Sequence, residues 1–173
     1  MFMDKETAKR EVEKLVQTFK DNLAQYKLST YKEAKENIEI ILNYSEELPK
    51  DILIMLLGLE TEGYIVNEDY ETAIKKIEGM LMKDSNNPHA YFYKSQVLFK
   101  QNKLQDALNN INLCLEKSEK ITLPHPDFFL LKSMILKKLD NDEYLYYENK
   151  AKQLIKGLKE FQKNFKRGDW KGL

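Results

Sequence analysis

The chain has 173 residues, enough for one domain with a continuous core and too few for two comfortable ones. Charged residues make up 32 % and hydrophobic residues 42 %, with only six glycines and four prolines, which favours a soluble, helix-rich protein and disfavours a β-rich or disordered one. The 28 basic and 28 acidic residues cancel, but residues 156–173 carry six basic and two acidic side chains, so the tail is basic and the rest is acidic.

The composition also bears on location and redox chemistry. The first residues are rich in charge and contain no apolar run of signal-peptide length, and no later stretch approaches the length of a membrane span. We therefore expect a cytoplasmic protein. A single cysteine, Cys114, cannot form an internal disulfide and lies within an apolar series, so we expect a small buried hydrophobe rather than a reactive thiol.

A short pattern of small and apolar residues recurs at a fixed distance. It consists of Tyr70, Ala73, Ile77 and Met80, and it returns with the same internal spacing as Leu104, Ala107, Ile111 and Cys114. A related block begins upstream at Tyr31. The internal spacing follows one face of an α-helix, and recurrence with a period of about 34 residues predicts stacked pairs of helices.

In chain order, the pattern predicts one domain of four helical hairpins followed by a C-terminal helix. The hairpins span about residues 6–44, 50–83, 89–117 and 127–155, and the helix and basic tail span 156–173. All four prolines fall at the expected junctions, where the first turn of a helix tolerates them: Pro49, Pro88, Pro124 and Pro126.

The fourth hairpin departs from the pattern. Tyr147 takes the place of the small residue, and two extra residues lie between its helices. A closing helix from about Tyr144 carries an apolar stripe at helical spacing: Leu154, Leu158, Phe161 and Phe165. The stripe predicts a helix that caps the last hairpin or folds into a groove, with a partner-binding helix as the alternative. Contact with nucleic acid or membrane is a further possibility, through Lys163, Lys166, Arg167 and Trp170.

This period and these residue types resemble the tetratricopeptide repeat family over about residues 12–155. The third hairpin carries the resemblance in Tyr91, Ser95, Leu98, Ala107, Ile111 and Cys114. The second carries it in Leu57, Thr61, Tyr64, Ala73, Ile77 and Met80. The resemblance implies an all-α, right-handed superhelix of stacked hairpins whose first helices line a concave groove.

The resemblance also implies which side chains point into that groove. They are Met55, Ile65 and Val66 in the second hairpin, His89, Phe92, Gln96, Phe99 and Lys100 in the third, and Leu130 and Met134 in the fourth. The groove would be mainly apolar with basic residues at one rim. Positions that form a carboxylate clamp in some family members carry Phe19, Leu23, Leu59, His89 and Tyr93 here, so heat-shock C-terminal peptides are not expected partners.

The sequence offers little support for catalysis. His89, His125 and Cys114 do not have the spacing of a metal-ligand set, and no glycine-rich phosphate-binding motif occurs. The basic tail accompanies no known nucleic-acid-binding module, which makes nucleic acid an unexpected partner. We therefore expect a protein without cofactor, metal or enzymatic activity.

Two classes of function remain, binding of another molecule and structural assembly. The favoured hypothesis is a protein-protein interaction module, an adaptor or chaperone-like scaffold, that holds an apolar or amphipathic segment of another protein in the groove. The alternative is a structural subunit that self-associates through the groove or the terminal helix. A third possibility is a regulator that docks on an enzyme or nucleic acid through the basic tail.

Overall fold

The computed structural model describes residue 10, residues 50–120 and residues 125–167. These ranges form six α-helices and no β-strand, which confirms the all-α class. The helices are α1 (Lys50–Val66), α2 (Tyr70–Lys83), α3 (Pro88–Lys100), α4 (Leu104–Glu119), α5 (Pro126–Lys138) and α6 (Tyr144–Arg167). The first predicted hairpin, about residues 6–44, lies outside the described residues apart from residue 10. The chain divides into two compact units, Met1–Lys76 and Ile77–Leu173.

The same turn closes the first helix of each described hairpin. Glu68, Asn102 and Asp140 have φ values of 61°, 58° and 53°, the left-handed conformation that ends many helices. In the α3–α4 turn, the N–H of Asn102 donates to Phe99 O at 3.0 Å, and the N–H of Lys103 donates to Leu98 O at 2.9 Å. Equivalent pairs of hydrogen bonds follow α1 and α5. The chain thus repeats one turn geometry. The first two of these turns, at Glu68 and Asn102, are separated by the period of about 34 residues found in the sequence pattern.

Proline begins α3 and α5, as the sequence predicted, and a side chain caps each of the two helices. Pro88 and Pro126 each occupy the first turn of their helix. Asn87 caps α3, because its Oδ1 accepts a hydrogen bond from His89 N at 3.0 Å. His125 caps α5 in the same way, but its Nδ1 lies 3.4 Å from Asp127 N, so this cap is the weaker of the two.

In the unit Met1–Lys76, a buried charge joins α1 to α2. Glu60 is almost fully buried, and its Oε1 lies 2.7 Å from Nζ of Lys76. One residue along, the buried Thr61 hydroxyl donates to Leu57 O in its own helix at 2.6 Å. Because the ion pair joins residues of two different helices, it fixes those helices side by side.

In the unit Ile77–Leu173, one core extends through α3, α4, α5 and α6. Each of these helices contacts the next in the chain, and α3 also contacts α5. The small residues predicted at helix crossings are fully buried: Ser95 Oγ of α3 donates to Ala107 O of α4 at 2.8 Å. The core side chains are Phe92, Ala107, Ile111, Cys114, Leu115, Phe128, Phe129, Leu131, Ile135 and Ala151.

The α5–α6 hairpin shows how the chain accommodates Tyr147. Its turn, residues 139–143, is two residues longer than the α3–α4 turn, residues 101–103, as the sequence predicted. The Tyr147 ring stacks on Phe129 with centroids 6.4 Å apart, and Lys132 Nζ donates to its hydroxyl at 2.8 Å. The close contact that alanine makes elsewhere falls one turn later, at the fully buried Ala151.

Cys114 lies fully buried in α4, which confirms the expectation of a structural cysteine. Burial disfavours the thiolate and raises the pKa of the Cys114 thiol. Because the thiolate is the reactive form, the folded chain keeps this side chain inert.

Candidate functional site

The side-by-side helices α3 and α5 carry most of the predicted groove residues in the unit Ile77–Leu173. Ring contacts join the helices near each end. The His89 ring meets Phe128 edge-on at 5.4 Å, and Nζ of Lys138 lies 4.7 Å from the centroid of Phe99. We call the accessible side of this pair the α3–α5 face, formed by His89, Gln96, Phe99, Lys100, Leu130, Met134 and Lys138.

The predicted groove residues of α3 and α5 divide into exposed and buried ones. Met134 is 52 % exposed, and Lys100 and His89 are also exposed. The side chains of Gln96, Phe99 and Leu130 are half-buried. Phe92 is only 9 % exposed because it packs against Phe128 with centroids 5.1 Å apart, so it belongs to the core and offers little surface to a partner.

The predicted groove residues of α1 lie in the unit Met1–Lys76. Ile65 is 6 % exposed and is a core residue there. Val66, the last residue of α1, is 52 % exposed. Met55 lies within α1, but its side chain is outside the described part of the chain. Of these three residues, only Val66 presents a described apolar surface.

Gln96 provides an unsatisfied polar atom on the α3–α5 face. Its Oε1 is buried and has no hydrogen-bond partner among the described residues. Burying an amide oxygen without a partner costs about 1–3 kcal/mol, so folded proteins seldom retain such an atom without a reason.

Both histidines of the chain lie near the N-terminal ends of α3 and α5, against the ring of Phe128. His89 and His125 both lie against Phe128, with centroids 5.4 Å and 6.0 Å from it. Desolvation, followed by the charge of His125, lowers the pKa of His89. A hydrogen bond from His125, with Nδ1 and Oδ2 3.3 Å apart, lowers the pKa of Asp127. Neither sequence neighbourhood indicated that the histidines meet, because they belong to different hairpins.

The protonation of His125 decides what its Nδ1 atom does. A neutral His125 can accept from the Asp127 N–H, whereas a protonated one donates to the Asp127 carboxylate. Within the described ranges, no group of three or more histidine, cysteine, aspartate or glutamate side chains is arranged to hold a metal ion. This corner of the molecule therefore shows a helix cap and a contact between an imidazole and a carboxylate.

Lysines lie over aromatic rings along α5 and α6. Nζ of Lys132 is 4.0 Å from the centroid of Tyr147, and Nζ of Lys150 is 4.7 Å from that of Phe129. Together with Lys138 over Phe99, these contacts place positive charge beside apolar rings while the ammonium groups stay near water. The surface of this hairpin is therefore basic and aromatic together.

The predicted tail residues are only partly described. Lys163, Lys166 and Arg167 lie within α6, but their side chains are outside the described part of the structure, and Trp170 lies beyond it. In the part of the chain that the structure describes, no helix is both long enough and apolar enough to cross a membrane.

The chain matches no protein-family model, no curated protein and no solved structure. The resemblance to the tetratricopeptide repeat family therefore stays a prediction from the sequence pattern.

Proposed function

We propose that the protein is a non-enzymatic interaction module, an adaptor or chaperone-like scaffold of the cytoplasm, that holds an apolar segment of another protein on the α3–α5 face. The observation that carries the proposal is the exposed side chain of Met134 on a face that also holds the half-buried Phe99 and Leu130. Methionine adapts to varied apolar partners.

We further propose that the hairpins stack as in a tetratricopeptide-like superhelix, with the α3–α5 face concave. Two observations support this arrangement. The helix that opens one hairpin, α3, contacts the helix that opens the next, α5, while α4 contacts α5 as well. The left-handed turns at Glu68 and Asn102 also recur with the period of the sequence pattern. Stacking of this kind builds an extended surface from successive first helices.

The basic residues at one end of the face favour a partner that is apolar with an acidic group. Lys100 and Lys138 end their helices and are exposed, and Lys138 also covers Phe99. A segment with an apolar side chain on Met134 and a carboxylate near these lysines would satisfy both.

A displayed random-peptide library selected against the full chain tests the proposal. Calorimetry then compares the affinity of the selected peptides for wild type, Met134→Glu and the control Met82→Glu, since Met82 is an equally apolar side chain 84 % exposed on α2. We expect the selected peptides to be apolar. Their affinity should fall about tenfold or more for the Met134→Glu variant and change little for the Met82→Glu variant.

A second variant separates binding from stability. Gln96→Leu removes the buried orphan oxygen and leaves Met134 in place, so we expect peptide binding to be retained and the chain to be as stable as wild type or more so. Selection of no peptide, or equal loss in both methionine variants, would contradict the proposed function. A concentration-dependent dimer that Met134→Glu dissociates would assign the face to self-assembly instead.

A further inference from the structure

Helix α6 continues well past the helix that it packs against. α6 has 24 residues and α5 has 13, so with a rise of about 1.5 Å per residue the C-terminal part of α6 extends beyond its antiparallel partner. The burial of successive apolar side chains shows where α6 leaves the core. Ala151 is fully buried, Leu154 packs against the core, and Leu158 is 48 % exposed. Apart from its chain neighbours and the backbone of its own helix, no described atom lies within 4 Å of a Cβ built on Gly157.

Residues 152–167 of α6 are called distal α6 below. Helical spacing puts Leu154 and Leu158 on one side, and the sequence continues that spacing with Phe161 and Phe165. The exposed lysines of distal α6 fall on the opposite side: Lys152, Lys156 and Lys159. Lys163, Lys166 and Arg167 continue the basic series in sequence, and Glu160 is the single acidic residue in this stretch of the sequence.

Two of the three described lysines of distal α6 form ion pairs, while the sequence of the whole stretch carries six basic residues and one acidic residue. Lys156 lies 3.9 Å from Glu160, and Lys152 lies 2.5 Å from Glu148 one turn earlier. Both pairs are solvent-exposed, and exposed pairs contribute little to stability. Lys159, one residue before Glu160, has no ion-pair partner among the described residues.

We propose that distal α6 is a docking element for an anionic lipid surface, with its apolar stripe at the acyl boundary and its lysines near the phosphates. The lysines and the apolar stripe of distal α6 together favour a lipid surface over the other possible partners. Nucleic acid would use the lysines and leave the stripe in water, whereas a second copy would bring a like-charged helix alongside. An anionic bilayer uses both features at once, because lysine stems reach from an interfacial helix to the headgroups.

Vesicle sedimentation with the full chain tests the docking of distal α6. The probes are phosphatidylcholine vesicles with and without phosphatidylserine, at low and high salt. We expect binding to the phosphatidylserine vesicles alone, weakened by salt. Leu158→Glu and the double variant Lys156→Glu/Lys159→Glu should each lower binding about tenfold or more. The matched controls on α2, Met82→Glu and Lys75→Glu, should bind as wild type does.

A gain-of-binding variant keeps the test independent of any loss of folding. Gly157→Leu adds an apolar side chain into open space beside the stripe, so we expect tighter binding to phosphatidylserine vesicles. Binding to neither vesicle, or equal binding to both, would overturn the proposal. Equal loss in the α2 controls would overturn it as well. Nucleic acid would be the occupant instead if duplex DNA displaced the vesicles and bound the Leu158→Glu variant as tightly as it binds wild type. A second copy would be the occupant if the chain formed a dimer that Leu158→Glu dissociated and did not bind lipid. Either result would overturn the proposal.

Discussion

Glu68 and Asn102 occupy the same place in successive hairpins but differ in how well they suit it. Both have positive φ, at 61° and 58°. The left-handed region costs most side chains about 1 kcal/mol or more, while glycine adopts it freely and asparagine tolerates it. The acidic Glu68 also lies just past the C-terminus of α1, where the helix dipole disfavours negative charge.

We therefore expect Glu68→Gly to stabilise the protein by about 1 kcal/mol, and Asn102→Gly to change stability by less. Urea unfolding followed by circular dichroism measures both. Glu68→Gln is the control for charge, because it keeps the backbone cost and removes the carboxylate. A larger gain from Glu68→Gln than from Glu68→Gly would show that charge, and not backbone conformation, limits this turn.

Cys114 predicts a pH dependence of stability. Burial raises its pKa in the folded chain, so the folded thiol keeps its proton at pH values where the unfolded thiol loses it. The stability that the thiol contributes is complete below the unfolded pKa, about 8.5, and declines as pH rises from there toward the folded pKa. From about pH 7.5 to 9.5, we expect this loss to reach about 1.4 kcal/mol.

The stability difference between wild type and Cys114→Ala measures that loss, because the other titrating groups are common to both chains. Urea unfolding at the two pH values should show the difference narrowing. A difference that stays constant would mean that Cys114 is accessible to water in the folded state.

Single residues were predictable where one physical factor decided their place. Cys114 and the buried Ser95 lie in apolar or small-residue series, and the series alone placed them inside. Phe92 illustrates the limit. Helical spacing put it on the groove side of α3, but its ring turns toward Phe128 of α5, a contact between hairpins that no local pattern encodes. The orphan oxygen of Gln96 also depends on packing and left no signal in sequence.

At the level of helices, the residues at which helices begin were easier to predict than the contacts between neighbouring helices. Pro88 and Pro126 lie where their helices start, because proline fits the first turn and breaks an interior. The sequence also showed that Tyr147 takes the place of the small residue in the fourth hairpin. It did not show that Phe129 and Lys132 would hold the ring while Ala151 supplies the crossing, since three separated residues must meet for that.

Two helix glycines give a test of how open their surroundings are. Apart from the chain neighbours and the backbone of the same helix, no described atom lies within 4 Å of a Cβ built on Gly79 in α2 or Gly157 in α6. An added methyl group meets no obstacle, so only the gain in helix propensity remains, about 0.5–1 kcal/mol per site.

Thermal unfolding of Gly79→Ala and Gly157→Ala should therefore show a rise in Tm for each. The double variant should show the sum, because distant sites add. Destabilisation by Gly157→Ala would mean that another segment covers distal α6 in solution, which would also remove the apolar surface proposed to meet lipid.

For the whole molecule, the all-α class was predictable because the helical periodicity of the apolar residues, the few glycines and the prolines agree. The proposed stacking and partner depend on surfaces built from several hairpins. The α3–α5 face and distal α6 are separate surfaces with different chemistry, one apolar with a basic end and the other an apolar stripe opposite lysines. A scaffold with both could hold a protein segment while resting on a membrane surface.

The central claim is that the α3–α5 face receives the partner segment, and the methyl groups of the six methionines can report it directly. The measurement is a nuclear magnetic resonance titration of methyl-labelled protein with the tightest selected peptide, with the Met134 and Met82 signals assigned by Met134→Leu and Met82→Leu. We predict that the Met134 signal shifts with the peptide and saturates at the calorimetric affinity, while the Met82 signal stays in place. Saturable binding that leaves the Met134 signal unmoved would contradict the account.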